Sequence, residues 1–486
     1  MNNSQSWPMW WRITALVNLS VYNMMNNVFA AGIAPLFGLI MEEFHCDLQQ
    51  VSQLSSYTLL MLGLANLYLI IAVSFIGRRL TILISLSVLM GSNIWAAKAT
   101  SFQALLITRF LGGISGGVVE GLAPLMIAEM FPRDQMGKAM VVYVFFTAAG
   151  SSLGSMFSGI IAQSLHDWRW FFTICAIILG ANLSACLLML PETYPIVTPN
   201  GEVTNTPNAE HIQSKLSDHD VSATHVEMGL DETVESFSLL RLWIERSFYP
   251  HIFISRQKRF YILWINSFRL FLTPEVLTTM LFWAACVGWV LVSAIISSAV
   301  YQKAPYFWSS EQVGLLNLGP FLGLVLGFPL GGIVADRFIS SRSDGEVRRA
   351  PKARLPLLLP GAVISPIGCL LMGLTLHYTW HWIGFAAGFG MLAFSVTSSC
   401  NILLTYSVDT FRLHAAQIGL VVNMTKYILS FGMTFGVIDW YVTKGPLSQF
   451  GTMAGTLWAI YFLSMLLYFL SKPVARISCW ALSSPS

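Results

Sequence analysis

Twelve long apolar runs constrain this chain more than any other feature. They cover residues 13–40, 50–73, 80–97, 103–130, 138–163, 169–190, 277–300, 311–335, 355–376, 382–407, 415–441 and 449–471. An apolar run of about 20 residues is long enough to cross a bilayer as a helix. Backbone groups in lipid must bond internally, which leaves helices and closed barrels. Because these runs are too long for barrel strands, they predict an all-α membrane protein with twelve transmembrane helices.

A long polar segment separates the runs into two groups of six. We therefore predict a six-helix bundle over residues 1–190, a cytoplasmic central loop over 191–276, a second bundle over 277–471 and a cytoplasmic tail over 472–486. The first part of the loop, through Ser236, is acidic and poor in apolar residues, as disordered linkers are. Its second part mixes bulky apolar residues with arginine and lysine. This pattern favours an amphipathic segment on the membrane surface over a partner-binding motif.

Basic residues predict the orientation in the membrane. With the amino terminus inside, the inner loops and tails hold fourteen arginine and lysine residues even without the central loop. The outer loops hold four, which are Lys98, Arg169, Lys303 and Lys444. The positive-inside rule then places both termini in the cytoplasm. We expect the plasma membrane, with the vacuolar membrane as the alternative that keeps the same topology.

The two halves carry signs of an ancient duplication. The fourth run ends AEMFPRDQMGKA and the tenth ends SVDTFRLHAAQIG. Each ending has an acid, Glu129 or Asp409, with a phenylalanine two positions later and then a base. The second run ends AVSFIGRRL and the eighth ends GGIVADRF. Duplicated halves with one site between them are the expected plan of a secondary transporter.

These endings resemble the major facilitator superfamily, and within it the fungal twelve-span drug:proton antiporter group with its polyamine-transporter-like branch. The family's loop motif GxLaDRxGRR is matched in two pieces, by 332–337 after the eighth run and by 77–79 after the second. Ser74 stands at the aspartate position of the first copy. Arg109 matches the family's arginine in the fourth span. The branch resemblance rests on Glu120 and Pro124, on APYFWSSEQVGLLNLGP, and on YSVDTF followed by NMTKYILSFG.

The resemblance implies a proton-driven exporter of small organic molecules, in which two bundles rock around one site. The antiporter signature GxxxGPxxGG of the fifth span reads GSSLGSMFSG here, with Ser155 for proline and Ser158 for glycine. Small residues still permit close helix contact, but the proline kink is lost and export is favoured less. The alternatives are a proton-coupled importer of polyamine-like cations and a transport-dead membrane sensor. A sensor would call for a large soluble domain, and the sequence shows none.

Charges inside the apolar runs are candidates for function. Arg109 and Glu120 are eleven positions apart in TRFLGGISGGVVEGLAPLMIAEM, so they share one helix face about 16 Å apart. A charge at mid-bilayer costs at least about 2.5 kcal/mol, so it is retained where it faces protein or water. Arg109 is either a hydrogen-bond hub or part of proton coupling. Glu120 is our first choice for proton or substrate binding, with Asp409 as the second. Lys426 either neutralises an acid, meets an anionic substrate group or forms a structural ion pair.

Two further groups complete the predicted site. Polar and aromatic side chains of spans one, seven and ten would line a substrate cavity together with Glu120 and Lys426, or would join helices within a bundle. They are Asn18, Tyr22, Asn26, Trp283, Ser398 and Asn401. Charges at the inner span ends would be gate latches by the resemblance, or else solvated loop charges. They are Arg78, Arg79, Glu129, Arg133, Asp336, Arg337, Asp409 and Arg412.

Enzyme chemistry finds no support in the sequence. There is no phosphate-binding glycine-lysine loop, and the seven cysteines lie mostly inside the apolar runs without metal-ligand spacing. We predict no cofactor, no metal and no nucleic acid partner. The expected partners are a small organic substrate, protons and the lipid bilayer, and the expected state is a monomer.

Overall fold

A computed structural model describes residues 7–192, 268–330, 351–411, 414–470 and 478. Most of the predicted central loop and tail lies outside these residues, and so do three predicted gate residues, Asp336, Arg337 and Arg412. For Arg133 the structure describes the backbone alone.

The first half contains six long helices, numbered here as spans 1 to 6. Span 1 continues through a 3-10 turn, Ala34–Leu36, into a short helix, Phe37–Phe44. The spans are Met9–Ala31, Leu48–Ile76, Arg78–Ala97, Phe102–Met130, Arg133–Leu165 and Arg169–Met189. Span 2 begins at a capping box in which Asp47 and Gln50 satisfy each other's backbone amides. Gly77, with φ 87°, allows the tight turn from span 2 to span 3.

The second half contains spans 7 to 12, and two of them are interrupted. Span 8 turns at Asn317 and span 10 at Ser398, while a 3-10 segment, Pro351–Leu358, leads into span 9. The helices are Pro274–Tyr301 for span 7, Ser310–Leu316 with Leu318–Pro329 for span 8, Leu359–His377 for span 9, Trp382–Thr397 with Ser399–Thr410 for span 10, Ala415–Phe435 for span 11 and Val437–Phe469 for span 12.

Eleven helical segments of the described chain are long and apolar enough to cross a membrane, and span 2 is the twelfth long helix. The two halves repeat their packing. Gly117 of span 4 lies against Ala65 of span 2, and at the matched positions Thr397 of span 10 lies against Gly327 of span 8. The predicted all-α membrane fold, twelve helices in two pseudo-symmetric six-helix bundles, is confirmed.

Small residues bring the two halves together along two lines. Gly63 of span 2 lies against Ile428 of span 11, and Gly159 of span 5 lies against the backbone of Ser310 in span 8. A Cβ atom at Gly159 would lie 2.2 Å from the Ser310 carbonyl oxygen, so this crossing requires glycine. We call the side on which span 1 begins the terminal side, and the opposite side the far side.

Candidate functional site

A buried ion pair joins the two halves. Glu120 of span 4 and Lys426 of span 11 are 4% and 7% exposed. The Lys426 ammonium donates to Glu120 Oε2 over 2.9 Å. Within the first half, span 4 packs directly against span 2 at Gly113 and Gly117. The structure thus brings together two of the charges that the sequence singled out and places the pair between the bundles.

Three further side chains hold Glu120 in place. The Tyr427 hydroxyl donates to Glu120 Oε1 through a short hydrogen bond. The Asn27 amide donates to the same oxygen over 3.4 Å. Asn423, one turn before Lys426, donates to the Glu120 backbone carbonyl over 3.2 Å. Both carboxylate oxygens therefore have donors, which is what a buried carboxylate requires.

Sequence reasoning did not find these three residues. Asn27 directly follows the predicted Asn26, and Tyr427 directly follows Lys426. The available signal was their position beside intramembrane polar residues. Which side chain of two neighbours turns toward the acid depends on the rotation of each helix, and packing determines that rotation.

Aromatic rings surround the ammonium group. Lys426 Nζ lies 5.2 Å from the centre of the Trp283 ring and 4.5 Å from the centre of the Tyr427 ring. Trp283 is fixed because its indole donates to the Cys400 carbonyl over 3.0 Å. Rings at these distances stabilise a cation by cation–π attraction. The site therefore has a carboxylate and two ring faces directed at one amine.

Arg109 makes different contacts. It is fully buried and donates to the carbonyls of Phe29 at 2.7 Å, Ala30 at 3.3 Å and Leu54 at 3.5 Å. Its guanidinium carbon also lies 4.0 Å from the centre of the Phe29 ring. No carboxylate of the described chain forms an ion pair with it. These contacts link spans 1, 2 and 4, as a hydrogen-bond hub does.

The predicted cavity residues of span 1 contact their own half. The Tyr22 hydroxyl lies within hydrogen-bond distance of two acceptors for its one proton, Ser85 Oγ at 3.0 Å and the Ser115 carbonyl at 3.1 Å. The Asn18 backbone carbonyl accepts from the Asn182 side-chain amide of span 6 over 3.2 Å. Asn26 packs against Gly116 of span 4, where a Cβ would overlap it. The Tyr22 contacts match the alternative of polar residues that join helices within one bundle, whereas Asn18 Nδ2 and both polar side-chain atoms of Asn26 are buried without a hydrogen-bond partner among the described residues.

Ser398 and Asn401 of span 10 also bond locally. Ser398 Oγ donates to the Phe394 carbonyl over 2.7 Å, and the Asn401 amide donates to the Thr397 carbonyl over 2.8 Å. Each acceptor lies four residues earlier in the same span. Of the predicted cavity residues, Glu120, Lys426 and Trp283 form one cluster.

Each half has an ion pair at the terminal side. Arg78, at the start of span 3, contacts Glu129 at the end of span 4. In the second half, Arg354 before span 9 lies 3.1 Å from Asp409 at the end of span 10. Arg354 was not predicted. The predicted charges Arg78, Glu129 and Asp409 thus join neighbouring helices within one half.

Glu192 adds a second contact to the first of these pairs. Its carboxylate accepts hydrogen bonds from the backbone amides of Arg78 and Arg79, over 3.3 Å and 3.0 Å. These amides form the start of span 3, where a negative charge is favourable. The Arg79 guanidinium donates to the Leu187 carbonyl over 2.7 Å, so the predicted Arg79 ties span 3 to span 6.

Hydrogen bonds join the two halves at the far side. The Gln302 amide at the end of span 7 donates to the Pro35 carbonyl over 2.7 Å and accepts from the Gly38 amide over 3.0 Å. Gln49 of span 2 donates to the Phe435 carbonyl of span 11 over 2.9 Å. These bridges between the halves lie at the far side, and those made by Asn423, Lys426 and Tyr427 lie beside Glu120.

Comparison with known proteins identifies the family. The profile of the Major Facilitator Superfamily matches residues 19–434. An uncharacterized transporter of Schizosaccharomyces pombe is 24% identical, over 91% of this chain and 84% of that protein. The MFS transporter cpaT of Aspergillus oryzae is 25% identical, over 90% and 81%. Protein HOL1 of Saccharomyces cerevisiae is 24% identical, over 87% and 78%.

Solved structures have the same fold. The proton:xylose symporter XylE superposes with a TM-score of 0.62 at 16% identity, over 96% of both chains. A peptide transporter, POT, superposes with a TM-score of 0.62 at 12% identity, over 96% of this chain and 95% of that one. The chain therefore belongs to the Major Facilitator Superfamily and is a multi-pass membrane transporter of that fold.

Proposed function

We propose that this transporter exports small organic molecules in exchange for protons by alternating access. The excess of basic residues at the terminal side supports a cytoplasmic location for that side, and we propose the plasma membrane as the membrane in which the transporter acts. Both termini then lie in the cytoplasm, and the far side faces outward. An inward proton gradient drives the cycle.

The ion pair between Glu120 and Lys426 carries this proposal. It links the two rigid bodies that must move against each other, and it involves a group that changes charge by taking up a proton. A proton on Glu120 removes the charge attraction to Lys426, and the contact between the halves weakens. Loss of the proton restores the attraction. Binding of one proton therefore changes the balance between two arrangements of the bundles.

The contacts between the halves fit one step of such a cycle. The far side is held by Gln302 and Gln49, and the middle by Glu120. The described ion pairs of the terminal side each stay within one half. This arrangement is closed toward the outside. In the proposed cycle the Gln302 bridge breaks with substrate bound beside the ionised Glu120, and a proton taken up from the outside then displaces the substrate.

The substrate class follows from the chemistry around Glu120. Trp283 and Tyr427 direct ring faces at the amine of Lys426, and the carboxylate completes that environment. The same three groups are suited to an organic cation or a flat apolar molecule. Such a cation and a proton would compete for one carboxylate. This competition is sufficient to couple export of the cation to uptake of the proton.

The first experiment measures counterflow in proteoliposomes with labelled drugs, polyamines and fungal metabolites. A molecule that exchanges is then tested for accumulation under an imposed pH gradient of either sign. Export is supported if the substrate moves against the direction of the protons. Movement of both in the same direction would make the protein an importer and reject the antiport proposal.

The second experiment assigns the coupling acid. Glu120→Gln fixes the neutral state, so we expect pH-driven accumulation to be lost while exchange without a gradient persists. Retained exchange shows that the variant is folded. Cys400→Ser is the matched control, because Cys400 stands at the position of the second half that corresponds to Glu120. If Glu120→Gln still concentrates substrate under the gradient, Glu120 is not the coupling acid and Asp409 is tested next.

A further inference from the structure

An apolar trough lies on the outer surface of the second half. It is formed by spans 8, 9 and 10 and has a volume of about 1020 Å³. Leu322 and Leu326, which line it, are 59% and 70% exposed. Along span 10 it extends from Trp382 to Phe394, a length of roughly 18 Å. One leaflet of the hydrocarbon core is about 15 Å deep, so the trough reaches from the far-side surface to about the midplane.

Glycines line the trough at positions where the first half has aromatic residues. When span 8 is aligned with span 2 on Asp336 and Ser74, Gly319 corresponds to Tyr57. When span 10 is aligned with span 4 on Asp409 and Glu129, Gly390 corresponds to Phe110. Tyr57 and Phe110 pack ring against ring, with centroids 5.1 Å apart. At the corresponding place Gly319 and Gly390 bring their backbones together, and a Cβ on Gly390 would lie 2.7 Å from the Gly319 carbonyl oxygen. The floor of the trough is therefore flat backbone.

The far-side end of the trough is its polar end. Trp308 and Trp382 stand there edge to face, with centroids 6.0 Å apart, and Gln312 lies beside them. Within the described part of the chain, neither indole N–H has a hydrogen-bond partner. Tryptophan at this depth commonly donates to groups at the membrane surface. The trough thus presents donors at one end and apolar walls along the rest.

The charge of the lining restricts the occupant. Among the described residues that line the trough there is no lysine, arginine, aspartate or glutamate. A phosphate head group would find no cation there, while an uncharged hydroxyl would find the two indole N–H groups and the Gln312 amide. A flat floor suits a rigid ring system better than two flexible acyl chains, because a rigid body loses less conformational entropy on binding.

We propose that this trough is a binding site for a membrane sterol from the far-side leaflet. The sterol hydroxyl lies at Trp308, Trp382 and Gln312. Its ring system lies on the backbone of Gly319 and Gly390, and its tail extends toward Phe394. The site is separate from the cluster around Glu120, and its occupant is a structural ligand of spans 8 to 10.

The test uses the full-length protein in phosphatidylcholine vesicles with a photoactivatable cholesterol analogue. We expect the probe to label peptides of spans 8 to 10 and unlabelled sterol to compete. Ala387, an exposed residue of the lining, is replaced by tryptophan to fill the trough without touching the glycine floor. Ala387→Trp should reduce labelling about tenfold, which corresponds to about 1.4 kcal/mol of binding free energy.

The first half provides the matched control. Ile107 corresponds to Ala387 and is 46% exposed on the equivalent face. Ile107→Trp should leave the labelling unchanged. A second variant, Trp308→Phe combined with Trp382→Phe, keeps an aromatic ring at each position and removes both N–H donors, and it should also weaken labelling. Equal labelling of wild type and Ala387→Trp would overturn the proposal. Equal labelling of the trough by a photoactivatable phosphatidylcholine, without competition by sterol, would overturn it as well.

Discussion

The two halves have one fold and different chemistry. When the two halves are aligned so that Glu129 matches Asp409, Arg109 corresponds to Phe389 and Glu120 corresponds to Cys400. The first half therefore has two buried charges where the second half has an aromatic ring and a thiol. The second half contributes Lys426 and Trp283 instead. Neither half alone contains a complete site, and the charge pair exists because unlike halves meet.

What the halves share is equally informative. Both retain a terminal-side ion pair that links the segment at the start of the third span to the end of the fourth span, Arg78 with Glu129 and Arg354 with Asp409. Both retain the close contact between the second and fourth helix. The repeated features are those that hold a bundle together. The features that differ are those on which our proposals of a coupling site and a sterol site rest.

The largest effect is expected from Lys426→Met. This change leaves Glu120 buried without its cation, and loss of one partner of a buried pair typically costs about 3–5 kcal/mol. We expect a clear loss of thermal stability, measured on the purified protein in detergent. The double variant Glu120→Gln with Lys426→Met should recover much of that loss, because no charge is left unpaired. A double variant as unstable as the single one would show that the two residues do not depend on each other.

The sequence was sufficient for the fold and for the charges. Twelve apolar runs predict twelve helices because lipid leaves the backbone few options. Glu120 and Lys426 were recognisable because a charge inside such a run demands a reason. Their pairing was not predictable, since 306 positions separate them and the rotation of each helix depends on packing. For the same reason Asn18, Tyr22 and Asn26, which share a face of span 1, contact their own half.

Arg109→Lys tests the role of Arg109, the other buried charge that has no counterpart in the second half. Lysine keeps the charge but lacks the fork that reaches the carbonyls of Phe29, Ala30 and Leu54. Hydrogen bonds to a charged group contribute about 1.5–3 kcal/mol, so we expect a stability loss of that order. Transport under a pH gradient, measured per folded molecule, should persist.

A different result for this variant would change the assignment of Arg109. If Arg109→Lys is stable yet loses pH-driven accumulation while keeping exchange, the arginine takes part in coupling. Phe389→Leu is the matched control in the second half. It should lower stability through loss of packing, by about 1–2 kcal/mol, and leave the response to the pH gradient intact.

Gln302→Ala concerns the contact that the halves make at the far side. It removes two hydrogen bonds across the halves, each contributing about 1 kcal/mol. We expect the far side to open more often, and Cys46, which is half-buried on that side, to react faster with a membrane-impermeant thiol reagent in intact cells. Gln312→Ala, at the same level but within one half, is the control. An unchanged reaction rate of Cys46 would mean that Gln302 does not hold the far side closed.

The smallest effects are expected from the two terminal-side ion pairs, and the two should differ. Both acids are partly exposed, and such pairs contribute less than about 1 kcal/mol to stability. Glu129→Gln leaves Glu192 on the backbone amides of Arg78 and Arg79, so span 3 keeps one negative partner at its start. Asp409→Asn removes the carboxylate that the described chain pairs with Arg354. We therefore expect Asp409→Asn to slow turnover more, by up to about fivefold, with little change in apparent substrate affinity.

The measurement is exchange in proteoliposomes at equal amounts of reconstituted protein. Equal turnover in both variants and wild type would reduce the two pairs to solvated surface charges, and the repeated ion pair would then reflect ancestry alone.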